Sequence, residues 1–170
     1  MKRLLQLKHW QIFLLMWVPG FIAHLFSSDL ALLLFPVLIL FFGGIHVAWW
    51  YAIGTEMHRR LPEELRSSAL SFRIHTVYLL FVIAMIGAMM MFKEMWMHNN
   101  IASTVFIILI LYYFPAFVIV VRFAAKSLAS FEKQGPARAE DYMGYFLLLW
   151  LSFIGVWTLH PKLNRIVDAT

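Results

Sequence analysis

The sequence predicts an all-α integral membrane protein: four transmembrane helices paired as two hairpins, then a C-terminal helix that is re-entrant or interfacial, or else a fifth transmembrane crossing. Three observations carry this reading. Apolar residues make up 62% of the chain against 14% charged, and the mean hydropathy is +0.77, well above the roughly 45–50% apolar content of a soluble domain. The apolar residues fall in runs approaching the roughly 20 needed to cross a bilayer as helix, with Gly and Pro inside them, rather than in the short alternating segments of a barrel. The 14 Lys and Arg residues border those runs and form no compact face of their own. That placement fits orientation in a membrane and contact with anionic headgroups, not nucleic acid.

The basic start MKRLLQLK leads into an apolar stretch read as the first transmembrane helix, residues 10–26, because no small-x-small cleavage site follows it. Pro19-Gly20 predicts a kink in that helix. Ser27-Ser28-Asp29 turns the chain into a second helix, residues 30–53, whose end at Trp49-Trp50-Tyr51 has the aromatic composition of the headgroup layer. Residues 54–73 are the most polar stretch and are placed on the cytoplasmic side. Within them Pro62, Glu63 and Glu64 suit the first turn of a short surface helix, since proline fits that position and acids favour the positive dipole end. A third helix, residues 74–97, and a fourth, 101–121, are separated only by His98-Asn99-Asn100, giving the second hairpin. Residues 122–141 continue helix four on the cytoplasmic side and break near Gly135-Pro136. WYAIGTEMHRR leaves helix two much as VRFAAKSLASF leaves helix four; a weak two-fold repeat and ordinary hairpin architecture account for this equally well. The whole chain, 1–170, reads as one membrane domain.

The aromatic segment 142–159 decides where the tail lies. With four crossings, 13 of the 14 basic residues are cytoplasmic and only Lys93 is outside; with five, the count falls to 11. The positive-inside bias favours four. Gly144, Ser152 and Gly155 interrupt a run already at the short limit, and Tyr142, Tyr145, Trp150 and Trp157 are spread along it rather than gathered at two ends. That pattern fits a broken, shallow element packed on the bundle. The expected location is a bacterial inner membrane with both termini cytoplasmic.

WYAIGTEMHRRLPEEL, AAKSLASFE and DYMGYFLLLWLSFIGVWTLHPKLNRI together resemble a group of small inner-membrane proteins of the Bacteroidota. Its members have an IGTEL-like start to the middle loop, an AKSL segment after helix four, and a tail of the form GIWxxQP, a basic residue, an aliphatic, Asn, basic, Ile. Gly155, Trp157, Pro161, Lys162, Asn164 and Arg165 match that tail, and His160 stands where Gln is usual. A Pro-Gly often breaks the last apolar run of such proteins; here Phe153-Ile154-Gly155 occupies that place. The resemblance covers most of the second half of the chain and implies membership without implying an activity.

Cysteine is absent, which excludes disulfides, thiolate metal sites and cysteine nucleophiles. His46 is the one ionisable residue well inside an expected span. It is a functional candidate by default, although a neutral histidine bonded to a helix carbonyl near Gly43-Gly44 serves packing equally well. A b-type haem would need a second histidine at matching depth. His75 starts helix three at the interface, about 10 Å from the depth of His46, and His24 lies near the outer face. Met91, Met95 and His98 recur at helical spacing and could offer thioethers and an imidazole to Cu(I), but methionine is a common packing residue. Glu56, Glu63, Glu64, Glu132, Glu140 and Asp141 all lie beside Arg or Lys, as surface ion pairs do. No Gly-x-Ser-x-Gly, His-Glu-x-x-His, histidine box or phosphate loop is present, and Glu63-Glu64 has Ser68 where intramembrane prenyl-protein proteases have Arg.

The expectation is therefore a non-enzymatic, cofactor-free membrane subunit that associates with other membrane subunits or with itself. Its inner surface would be built from Arg59, Arg60, Arg66, Trp157, Lys162, Asn164 and Arg165. The alternative is a small transporter or channel with a polar path at His46, and after it a haem or copper protein.

Overall fold

A computed structural model of the chain describes residues 2–23, 28–91 and 100–168. Among these the fold is helical throughout: α1 (Lys2–Leu5), α2 (His9–Ala23), α3 (Ser28–Arg60), a single 3-10 turn at Glu63–Leu65, α4 (Leu70–Met91), α5 (Asn100–Lys133), α6 (Ala139–Trp150) and α7 (Ser152–Asp168). Helices α3, α4 and α5 are long and apolar enough to cross a membrane, and a fourth span is added if α6 and α7 count as one bent pair. The described part of α2 is shorter than a span; the rest of the expected first helix, residues 24–26, lies outside the described residues.

Helix α3 is the central element, packed on α2, α4 and α5. Its 33 residues make a rod of about 50 Å, and the 34 of α5 one of about 51 Å, against a hydrocarbon core of about 30 Å. Both therefore continue well beyond an apolar slab. For α3 this corrects the expected end at residue 53. Thr55 donates its hydroxyl to Tyr51 O (2.7 Å), and Glu56 accepts from Arg59 Nη2 and Arg60 Nε (both 2.8 Å), so i,i+3 and i,i+4 pairs carry the helix through the polar sequence. The surface helix expected at Pro62 is only the three-residue turn, because Arg66 leaves helical geometry and its side chain takes Leu61 O and Arg59 O instead.

The core is built where α3 and α5 cross. Trp49, Ile53 and Met57 pack with Ala116, Val120, Ala124 and Leu128, all fully buried, and the small alanines let the helices approach closely. The outward surfaces are apolar as well: Val77 and Phe81 of α4 and Ile107, Ile108, Leu111 and Phe114 of α5 are exposed. A soluble protein places such residues inside; facing hydrocarbon they cost nothing.

Helix α5 ends as the sequence predicts, near Gly135-Pro136. Gly135 N–H donates to Ser130 O and Gln134 N–H to Phe131 O, the paired bonds of a Schellman cap, with Gln134 in the left-handed position at φ 51°. Ser130 Oγ then accepts Ala137 N–H (3.1 Å), and Asp141 Oδ2 accepts Arg138 N–H (2.7 Å) at the start of α6. Lys133, hydrogen-bonded to Asp141, and then the Arg138 N–H hold that carboxyl below the usual carboxylate range.

The segment expected as one element, residues 142–159, is two helices. They meet at Leu151, and the axis turns through 118° between them. The chain doubles back: Lys162 Nζ of α7 lies 3.1 Å from Tyr145 OH of α6. Of the three residues expected to interrupt this run, Gly144 sits within continuous helix, Ser152 opens α7, and Gly155 makes the turn possible. A Cβ on residue 155 would stand 2.0 Å from Leu148 O and 2.8 Å from its carbon, whereas a Cβ on residue 144 would meet nothing within 4 Å. Gly155→Ala is therefore expected to cost about 2–4 kcal/mol and to abolish a monodisperse peak in detergent size exclusion. Gly144→Ala is expected to hold or raise the thermal midpoint, by up to about 1 kcal/mol of helix propensity.

Candidate functional site

Three polar arrangements stand out in this apolar fold. The first is at His46, 7% exposed and one turn after Phe42 on α3. Its Nδ1–H donates to Phe42 O (2.8 Å), since a carbonyl only accepts, and in the neutral ring Nε2 then accepts the Ser152 hydroxyl (3.1 Å). Trp17 and Trp50 stand edge-on to the ring at centroid distances of 6.0 and 5.9 Å. Both imidazole nitrogens are committed to the fold. His75 is likewise engaged, with Ser71 O (2.6 Å) and Tyr112 OH (2.8 Å). Among the described residues no group of three or more His, Asp or Glu side chains is placed to hold a metal. Met95 and His98 of the methionine face, and His24, lie outside the described residues; Met91 is exposed at the end of α4.

The second arrangement ties the two ends of the chain together. His160 is completely buried: Nε2–H donates to Leu7 O (2.7 Å), and Nδ1 accepts Trp49 Nε1–H (3.3 Å). One turn on, Asn164 Nδ2 donates to Leu5 O (2.6 Å) and Leu7 O (2.9 Å). Leu5 ends the four-residue α1 and Leu7 follows it, so no helix ladder continues to serve their carbonyls. Arg60 closes the same junction by donating to Ile166 O (2.8 Å).

The third is an open cavity of about 500 Å³ where α3, the connection to α4, and α4 itself meet. Arg59, Arg66 and Arg73 line it with His58 and Glu56, and its apolar wall is Tyr51, Phe72 and Phe123. The Phe72 ring stacks on Phe123 (centroids 4.3 Å) and on Tyr51 (5.5 Å). Gly54 admits it, since a Cβ there would stand 2.7 Å from Phe72 Cζ.

The residues expected to form one inner surface are thus divided. Arg60, Lys162 and Asn164 are used within the fold: Lys162 Nζ reaches Glu132 Oε1 (2.6 Å), while Arg60 and Asn164 hold the termini. Trp157 is half-exposed, with its ring against His9 (4.9 Å) and Phe13 (5.3 Å). Arg59 and Arg66 line the cavity, and Arg165 is exposed. Glu56 departs from the expectation of surface ion pairing, since it is only 7% exposed beneath its two arginines. Sequence reasoning counted Arg73 as a topology charge and did not couple Ser152 to His46; pairings across 106 residues leave no local spacing to find.

Ser152→Ala would leave the His46 Nε2 acceptor without a partner, at a cost of about 1 kcal/mol in a membrane interior, read as a fall of roughly 2–4 °C in thermal midpoint. Asn164→Ala would free Leu5 O and leave Leu7 O to His160 alone, and limited proteolysis should then cut residues 2–8 faster than in the parent protein. No protein-family model matches this chain, and comparison with curated proteins and with solved structures gave no match.

Proposed function

We propose that this chain is a non-catalytic subunit or interaction module of a larger assembly in a bacterial inner membrane. In this reading α2 to α5 cross four times, and α6 and α7 dip in from the cytoplasmic side and return, leaving both termini cytoplasmic. The supporting geometry is that residues 2–8, the end of α3 and the end of α7 meet at one end of the bundle, and that α6 and α7 reverse direction. The same end carries the described basic residues, as the positive-inside rule asks of a cytoplasmic face.

The observation that carries the functional reading is how the interior polar groups are used. His46, Ser152, His160 and Asn164 each bond to another helix or to the opposite terminus, which is the behaviour of packing devices. A transporter path at His46 would need an imidazole nitrogen free to face solvent or cargo, and both are committed to Phe42 and Ser152. The resemblance to the small Bacteroidota proteins fits the same picture: the Gln usual at position 160 could supply the N–H that His160 gives to Leu7 O.

The test is purification of tagged full-length chain from its native membrane in gentle detergent, with mass spectrometry of co-eluting proteins and metal and haem assays on the same sample. The expected result is one or more membrane proteins at a fixed ratio to the chain. A chain that elutes alone, and transports an ion or solute across vesicles in a His46-dependent way, would overturn the proposal.

A further inference from the structure

The arginine-lined cavity is shaped and charged for an anion. Three guanidinium groups line it, and the carboxylate among them, Glu56, is already held by Arg59 and by Arg60 behind it. The donors are set in place by the fold: Arg66 is fixed through Nε to Leu61 O (2.9 Å) and Nη2 to Arg59 O (2.8 Å), and Arg59 through Nη2 to Glu56. Each guanidinium has five N–H donors, and these bonds take two from Arg66 and one from Arg59. The Arg73 side chain has no hydrogen-bond or ion-pair partner among the described residues, and Arg73 is exposed at the cavity edge.

From this geometry we infer that the cavity binds a phosphate group, presented either by an anionic membrane lipid or by a small soluble phosphate compound. Planar guanidinium forks match phosphate oxygens bidentately, and donors already fixed by the fold lose less entropy on binding. The volume of about 500 Å³ lies within the range of small-ligand sites. The stacked Tyr51, Phe72 and Phe123 rings add an apolar wall beneath the cations, suited to the glycerol and upper acyl carbons of a lipid. A smaller cavity of about 190 Å³ shares Phe72 and Phe123 and adds Arg122 and Lys126, so the positive lining continues along the surface. This site is independent of whether the chain has protein partners.

The experiment uses purified full-length chain in micelles doped with equal amounts of phosphatidylglycerol and phosphatidylcholine, with retained lipid counted by native mass spectrometry. In parallel, the thermal midpoint is followed against millimolar inorganic phosphate. Arg73→Gln is the principal variant, because that side chain holds no part of the fold, and Lys8→Gln, exposed and outside the cavity, is the control. Retention of phosphatidylglycerol about tenfold above phosphatidylcholine, lost in Arg73→Gln and kept in Lys8→Gln, supports the site and names a lipid as its source. A phosphate-dependent rise in midpoint that Arg73→Gln removes, with no lipid preference, supports the site and names a soluble phosphate compound. Equal retention of both lipids with no phosphate-dependent shift overturns the inference. So does a lipid preference that Lys8→Gln weakens as much as Arg73→Gln, which would mean diffuse surface charge.

Discussion

The place where Gly155 lies against the Leu148 carbonyl governs the rest of the fold. No side chain fits in that gap, so α7 can cross the end of α6 at backbone range and turn back along α3. Every later contact inherits this placement: Ser152 arrives at His46, His160 at Trp49, and the Ile166 carbonyl at Arg60. Backbone that leaves the helix in an apolar medium must find its partners inside the protein. The break is held to a single residue, Leu151, whose N–H goes to Leu147 O and whose carbonyl receives the N–H groups of Ile154 and Gly155.

Glu56 joins the two polar regions at the bundle end. Arg59 and Arg60 are successive residues pointing about 100° apart on a helix, one toward the cavity and one toward the tail, yet one carboxylate oxygen accepts from both. The carboxylate is buried and both cations are tethered, so the closure of the C-terminal helix and the shape of the basic cavity share an anchor.

Much of the fold was legible because membrane insertion imposes strong patterns. Run length and hydropathy mark α3, α4 and α5, and the Gly135-Pro136 break follows from local chemistry. What was not legible depends on long-range pairing. The extension of α3 to Arg60 rests on Glu56 reaching two arginines, and composition alone reads that stretch as loop. The role of Gly155 is set by a carbonyl seven residues earlier on another helix axis, while Gly144, the same residue type in the same run, has open space around it. The cavity gathers Arg59, Arg66 and Arg73 from three elements. Each reads in sequence as an ordinary orienting charge, and only their convergence makes a site.

The clasp between the chain ends has a consequence for how the protein is made. The Leu5 and Leu7 carbonyls receive their donors from Asn164 and His160, between 153 and 159 residues later. Synthesis runs from the N-terminus, and α2 to α5 emerge in order before the C-terminal helices. The first segment therefore waits, with its carbonyls open to water or lipid headgroups, until almost the whole chain has been translated. Closure is a final latch: a chain that ends before residue 160 lacks both side chains that donate to these carbonyls.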